Sequence, residues 1–180
     1  ELFTLGIGNY TENDVKEAAR ALTGWTFNKD GEFVIRNEHH DDGIKVFLDE
    51  RGAMNGDNLI KIILGKKQCA RFITTKIYRY FVNENPDHKI IESLTNEFFN
   101  SGYDIKVLMK SVFLSEWFYA LENTGNRIKS PVELLVGIIR NFHVEFDNPM
   151  MPLQLQKIMG QLLFDPPNVA GWPSGNAWID

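Results

Sequence analysis

From Asn58 to Phe164, apolar residues recur three and four positions apart, in stretches cut by Gly65, Pro86, Gly102, Pro131 and Pro149. That spacing lays one apolar stripe along each of several short helices. Such stripes must cover one another, so the chain is constrained toward a helical bundle. KQCARFITTKIYRYFV carries Cys69, Phe72, Ile73, Ile77, Tyr80 and Phe81 on its stripe, with Lys66, Lys67, Arg71 and Arg79 largely off it. DHKIIESLTNEFFNS places Ile90, Ile91, Leu94 and Phe98 at helical spacing, and Asp104 caps IKVLMKSVFL. Ser130, Pro131 and Glu133 make a strong start signal: a cap, a proline at the first helical position and a capping-box carboxylate. LQLQKIMGQLLF is the last helix, ended by Pro166 and Pro167.

The first third differs. YTENDVKEAARALTG reads as a helix opened by Thr11 and Asp14, with aspartate where a capping box usually has glutamate, and closed by Gly24. The period then shifts to two. Trp25–Phe27 and residues 32–36 flank NKDG, a hairpin signal with Gly31 at the turn. Residues 44–48, IKVFL, add a third short strand, and RGAMNGD reads as a loop. The expected fold is mainly α: a single-domain helical bundle over residues 1–180 with a small antiparallel β-hairpin insertion near residues 25–48.

Composition narrows the functions. The net charge of −5 argues against a generic nucleic-acid binder, which carries a basic excess. A single cysteine, Cys69, leaves no internal disulfide to form. Its place on the apolar stripe marks it as a core thiol rather than a reactive one. No apolar run reaches the ~18 residues of a membrane span. No serine nucleophile elbow, dinucleotide glycine fingerprint or HExxH zinc motif occurs.

Several fragments resemble one known family. NYTENDVKEAARALTGW, HDDGIK, ARFITTKIYRYFV, SGYDIKVLMKSVFLSEWF, IKSPVELLVGIIR and GQLLFDPPNVAGWPSGNAWI are similar, in order, to the bacterial domain-of-unknown-function 1800 family. The resemblance implies the C-terminal part of a longer, exported or periplasmic, envelope-associated protein. It implies no reaction. His40 and Asp41 match the family's HD pair. After Lys45 the chain runs through Leu48 to Asp49, where members often have glycine.

Three constellations are candidates for function. HHDDG supplies His39, His40, Asp41 and Asp42 as candidate ligands for a divalent metal, and His40 with Asp41 as a candidate acid–base pair. Adjacent residues in an extended segment point apart, so a metal site would need further ligands from elsewhere, which His143 and Glu145, or Asp165, could supply. The bland reading is a polar turn whose aspartates bond nearby amides. Lys129 and Arg140, beside the Ser130–Pro131 helix start, are candidate anion ligands, and Arg140 is placed to pair with Glu133. Trp172 and Trp178, with Asn168 and Asn176, close the chain in a proline-stiffened tail. Each indole buries about 200 Å² if packed, worth several kcal/mol at ~25 cal/mol per Å². Such rings form either a cover or the rim of a polysaccharide or protein site. The expected function is a non-catalytic interaction or scaffold domain with a protein or polysaccharide partner and no nucleic acid. The alternatives are a metal-assisted hydrolase using His40 and Asp41, and an anion-binding domain at the Ser130 helix start.

Overall fold

The computed structural model describes residues 3–179 of the 180-residue chain. Among the described residues about half are helical, in seven α-helices, with two small two-stranded sheets. The elements are α1 (Glu12–Ala21), β1 (Trp25–Phe27), β2 (Phe33–Ile35), β3 (Ile44–Phe47), β4 (Glu50–Ala53), α2 (Gly56–Gly65), α3 (Lys67–Phe81), α4 (His88–Asn100), α5 (Ile105–Phe113), α6 (Pro131–Phe142) and α7 (Met151–Ile158). The mainly α class with a small β insertion is the architecture observed.

The helix starts follow their signals. Thr11 and Ser130 close reciprocal capping boxes with Asp14 and Glu133. Asp87 and Asp104 cap α4 and α5 by accepting two backbone amides each. Each such cap is worth about 1 kcal/mol, because it satisfies amides that the helix leaves without partners.

The β region departs from expectation in one respect. Arg51–Ala53, read from sequence as loop, is strand: β4 pairs antiparallel with β3, Phe47 opposite Glu50 and Ile44 opposite Ala53. Leu48 and Asp49 form the two-residue turn, with φ of 49° and 71°. Two successive left-handed residues match the twist of a tight hairpin, but the usual signal for it is Asn-Gly or Asp-Gly. Leucine hid the turn. The hairpin of β1 and β2 forms as expected, with Trp25 opposite Ile35.

The chain gathers into two compact units. The first runs through Tyr78 and includes Pro86–Leu114; the second holds Arg79–Asn85 and the chain from Ser115 onward. In the first unit, Ala21, Phe47, Met54 and Leu59 form a core cluster between α1, β3 and α2, with Ala18, Leu48, Ile62 and Ile63 against it. The buried face of α3 centres on Cys69, Ala70, Thr74 and Tyr78. Phe72, Ile73 and Ile77 are half-buried, and Tyr80 and Phe81 are exposed, so the face is rotated from the expected stripe. Small Ala70 and Thr74 are what the interior accepts, and an apolar-only count passes over threonine. Ile91, Leu94 and Phe98 of α4 are buried as their spacing requires. Burial pushes the Cys69 thiol pKa up, as befits a core thiol. In the second unit α6 packs on α7.

Two glycines are dictated by neighbours. Gly24, at φ 82°, ends α1 where a Cβ would lie 2.6 Å from the Arg36 carbonyl oxygen. Gly56 opens α2 directly beneath Trp25, and a Cβ there would lie 2.1 Å from the indole Cζ2. Gly56→Ala therefore forces the ring out of place. The expected loss is about 1–3 kcal/mol, the scale of core overpacking, against at most ~1 kcal/mol gained in helix propensity. Urea unfolding of the variant measures it; an unchanged or raised midpoint would show the indole free to move.

Candidate functional site

The residues around HHDDGIK build from α1 outward. Asp14, Glu17 and Arg20 stand three residues apart on one side of α1. Each takes one backbone group along the open edge of β3 or its turn. Leu48 N–H donates to Asp14 Oδ1 at 2.8 Å, and Val46 N–H donates to Glu17 Oε2 at 2.9 Å. Arg20 Nη1 donates to the Ile44 carbonyl at 3.3 Å. The helix thus supplies, through side chains, hydrogen bonds that a further strand would otherwise make.

Arg20 also grips Asp41 with two bonds, Nε to Oδ2 at 2.8 Å and Nη2 to Oδ1 at 3.1 Å, while Nη1 donates to Glu17 Oε1 at 2.9 Å. Side-on, two-point contact of this kind fixes geometry as well as charge. The Thr23 hydroxyl donates to the Arg20 carbonyl at 2.6 Å and accepts from Asp41 N–H at 2.8 Å. Gly43 N–H closes a turn onto Asp41 Oδ1 at 2.8 Å. His40 Nδ1 lies 2.9 Å from the Thr23 carbonyl oxygen. A carbonyl only accepts, so the neutral ring carries its hydrogen on Nδ1 and leaves Nε2 the acceptor.

The carboxylates respond to these donors. The Arg20 guanidinium, then the Gly43 amide, then the charges of Arg20 and Lys45 hold the Asp41 pKa at about 2, below its usual 3.8. The Val46 amide, then Arg20, lowers Glu17. For Asp14, burial pushes upward, but bonds from the Thr11 hydroxyl and the Leu48 and Thr11 amides outweigh it and the pKa falls.

Sequence reasoning noted Lys45 for the turn that follows it and missed its burial. Along β3 the exposure alternates, with Ile44 and Val46 outward and Lys45 and Phe47 inward. Lys45 is fully buried. Its Nζ donates to the Asp41 carbonyl, and to the Gly43 carbonyl at 3.1 Å. The signal was available: a period of two puts Lys45 on the face of Phe47. Beside it lies a cavity of about 250 Å³ lined by Trp25, Ile35, Asn37, His40, Asp42, Ala53, Met54, Asn55 and Asn58 together with Lys45.

His40 and Asp42 therefore share this cavity wall, whereas Asp41 turns to Arg20. His39 and Asp42 are exposed. Among the described residues, no group of three or more His, Cys, Asp or Glu side chains is placed to hold a metal ion. His143, Glu145 and Asp165 belong to the second unit, where His143 is the left-handed C-cap of α6 and Glu145 and Asp165 are exposed.

In that unit Glu133 pairs with Arg127 rather than Arg140, and its Oε2 accepts from Ser130 N–H at 2.9 Å. Val132 N–H donates to Gln161 Oε1 at 2.9 Å and Glu133 N–H to Ser130 Oγ at 3.3 Å. The amides at this helix start are thus occupied by the chain's own side chains. Lys129 and Arg140 are exposed, and Arg140 borders an open depression of about 550 Å³ with Val136 and Gly137. Trp172 and Trp178 are half-buried, Trp178 within a single 3₁₀ turn, Gly175–Trp178. Asn168 and Asn176 are exposed, and Asn176 N–H donates to Glu84 Oε2 at 3.1 Å.

The family model described as "Protein of unknown function (DUF1800)" matches residues 1–180. The chain belongs to the DUF1800 family. No curated protein and no solved structure matches it. In this DUF1800 chain, then, HDDG is a loop clamped onto α1 by Arg20 and bonded through its carbonyls to the buried Lys45 of β3.

The depressed Asp41 and Glu17 values set an acid sensitivity. A folded pKa below the unfolded one gives stability that is present above about pH 4 and lost as pH falls through about 2. The melting temperature should hold from pH 7 to about 5 and decline below 4. Asp41→Asn should be less stable at neutral pH, with a shallower decline in acid. Melting scans at stepped pH test this; an identical acid limb in the variant would remove Asp41 from the account.

Proposed function

We propose that this DUF1800 chain is a non-catalytic interaction domain that docks a protein partner through α6, within the exported or envelope-associated bacterial protein that the family resemblance implies. One observation carries the reading. Leu134, Ile138 and Phe142 recur every four residues along α6 and are 46%, 43% and 76% exposed. Residues at that spacing share one side of a helix. A row of large apolar side chains left in water is what a helix presents to a groove or to another helix. Ile158 and Phe164, at 80% and 97% exposed, enlarge the apolar surface of the same unit. Asp41, committed to Arg20 and ionised to about pH 2, is no free base, so the hydrolase alternative has less behind it.

The stripe can be removed without touching Leu135, the buried residue of α6. Ile138→Glu with Phe142→Glu should cost no more than about 1 kcal/mol, as surface changes do. A photo-crosslinker at Phe142 in the full-length protein should give a discrete adduct with another polypeptide, lost when Leu134 and Ile138 are both made Glu. A folding loss above about 3 kcal/mol, no adduct, or an adduct only within the same chain would each sink the reading.

A further inference from the structure

The cavity that Lys45 helps line joins three positive features in the first unit. The first is Lys45 itself. An ammonium has three N–H donors, and two are taken, by the Asp41 and Gly43 carbonyls. Among the described residues no carboxylate lies within ion-pairing distance of its Nζ. Its counter-charge is shared: Asp41 feels the Lys45 charge, but its carboxylate is already gripped side-on by Arg20 at 2.8 Å, and a buried charge so partnered is costly.

The second feature is a pair of amide side chains. Asn55 Oδ1 accepts from Asn58 N–H at 3.0 Å, and Asn58 Oδ1 accepts from Asn55 N–H at 3.1 Å. That reciprocal cap consumes both oxygens. The two NH₂ groups remain as donors, and both residues wall the cavity. The third is the start of α2, a ten-residue helix whose N-terminal dipole adds partial positive charge at the same wall. Against these stand the acceptor Nε2 of His40 and one carboxylate, Asp42, on the exposed loop.

We infer that this cavity binds a small oxyanion, a carboxylate or a phosphate, with Asn55 and Asn58 donating to it and buried Lys45 in its lining supplying positive charge. At about 250 Å³ the space lies under the usual range for drug-sized ligands, so the ligand is small. Asp42 opposes the anion and weakens its binding. The site is independent of the α6 surface.

The test is calorimetric titration of the full-length protein with acetate, pyruvate and inorganic phosphate, with glucose as the neutral control. One class of anion should bind saturably at one site per chain and glucose should not. The tighter of carboxylate and phosphate identifies the source. Asp42→Asn should tighten the anion by about two- to fivefold, and Asn37→Asp should weaken it by a similar factor, the scale of an exposed charge interaction. Lys45→Met should weaken it by at least about tenfold where circular dichroism shows the fold kept. The Asn37 and Asp42 variants leave the loop's hydrogen bonds intact, so they decide the matter even if Lys45→Met unfolds. No anion bound, glucose bound equally, or the two charge variants moving binding the same way or not at all would overturn the inference.

Discussion

The row of Asp14, Glu17 and Arg20 against β3 is what the rest of the first unit hangs on. A two-stranded hairpin alone is marginal in water. Here its outer edge is bonded to a helix that also packs Ala18 and Ala21 against the hairpin's inward side chain Phe47. The same Arg20 that completes the row reaches Asp41, and Asp41 organises the loop that delivers Lys45 inward. Helix, strand and loop are therefore one hydrogen-bonded assembly. The cavity depends on that assembly, since His40, Asp42 and Lys45 of its lining come from the loop and strand so positioned.

Much of the fold was legible because its signals are local. Capping boxes at Thr11 and Ser130, the aspartate cap at Asp104 and the Gly24 stop each act within a few residues. What escaped was tertiary. The Leu48–Asp49 turn uses left-handed residues without glycine or asparagine, steadied by the Asp14 bond to the Leu48 amide. Arg127, rather than Arg140, pairs with Glu133, because the chain before the cap folds back on it.

The site was half legible. HHDDG stood out for its chemistry, and the turn reading, with aspartate bonding a nearby amide, describes Asp41 and Gly43. The burial of Lys45 did not stand out, although the alternation in IKVFL placed it on the face of Phe47. A lysine in a strand is ordinarily assigned to solvent, and only a buried carbonyl pair to receive it overrides that habit. Arg20 was equally silent, because one guanidinium on a charged helix looks like many others.

The aspartate of the first capping box departs from the common glutamate, and its geometry explains why. Asp14 Oδ2 closes the box on Thr11 while Oδ1 receives Leu48. One carboxylate is thus spliced into two elements thirty-odd residues apart in the chain. The start of α1 and the hairpin turn are thereby coupled through one side chain, whose reach matters as much as its capping strength. A longer acid there would improve the helix in isolation and loosen the domain, so a short acid in this position is itself a fingerprint of a shared cap.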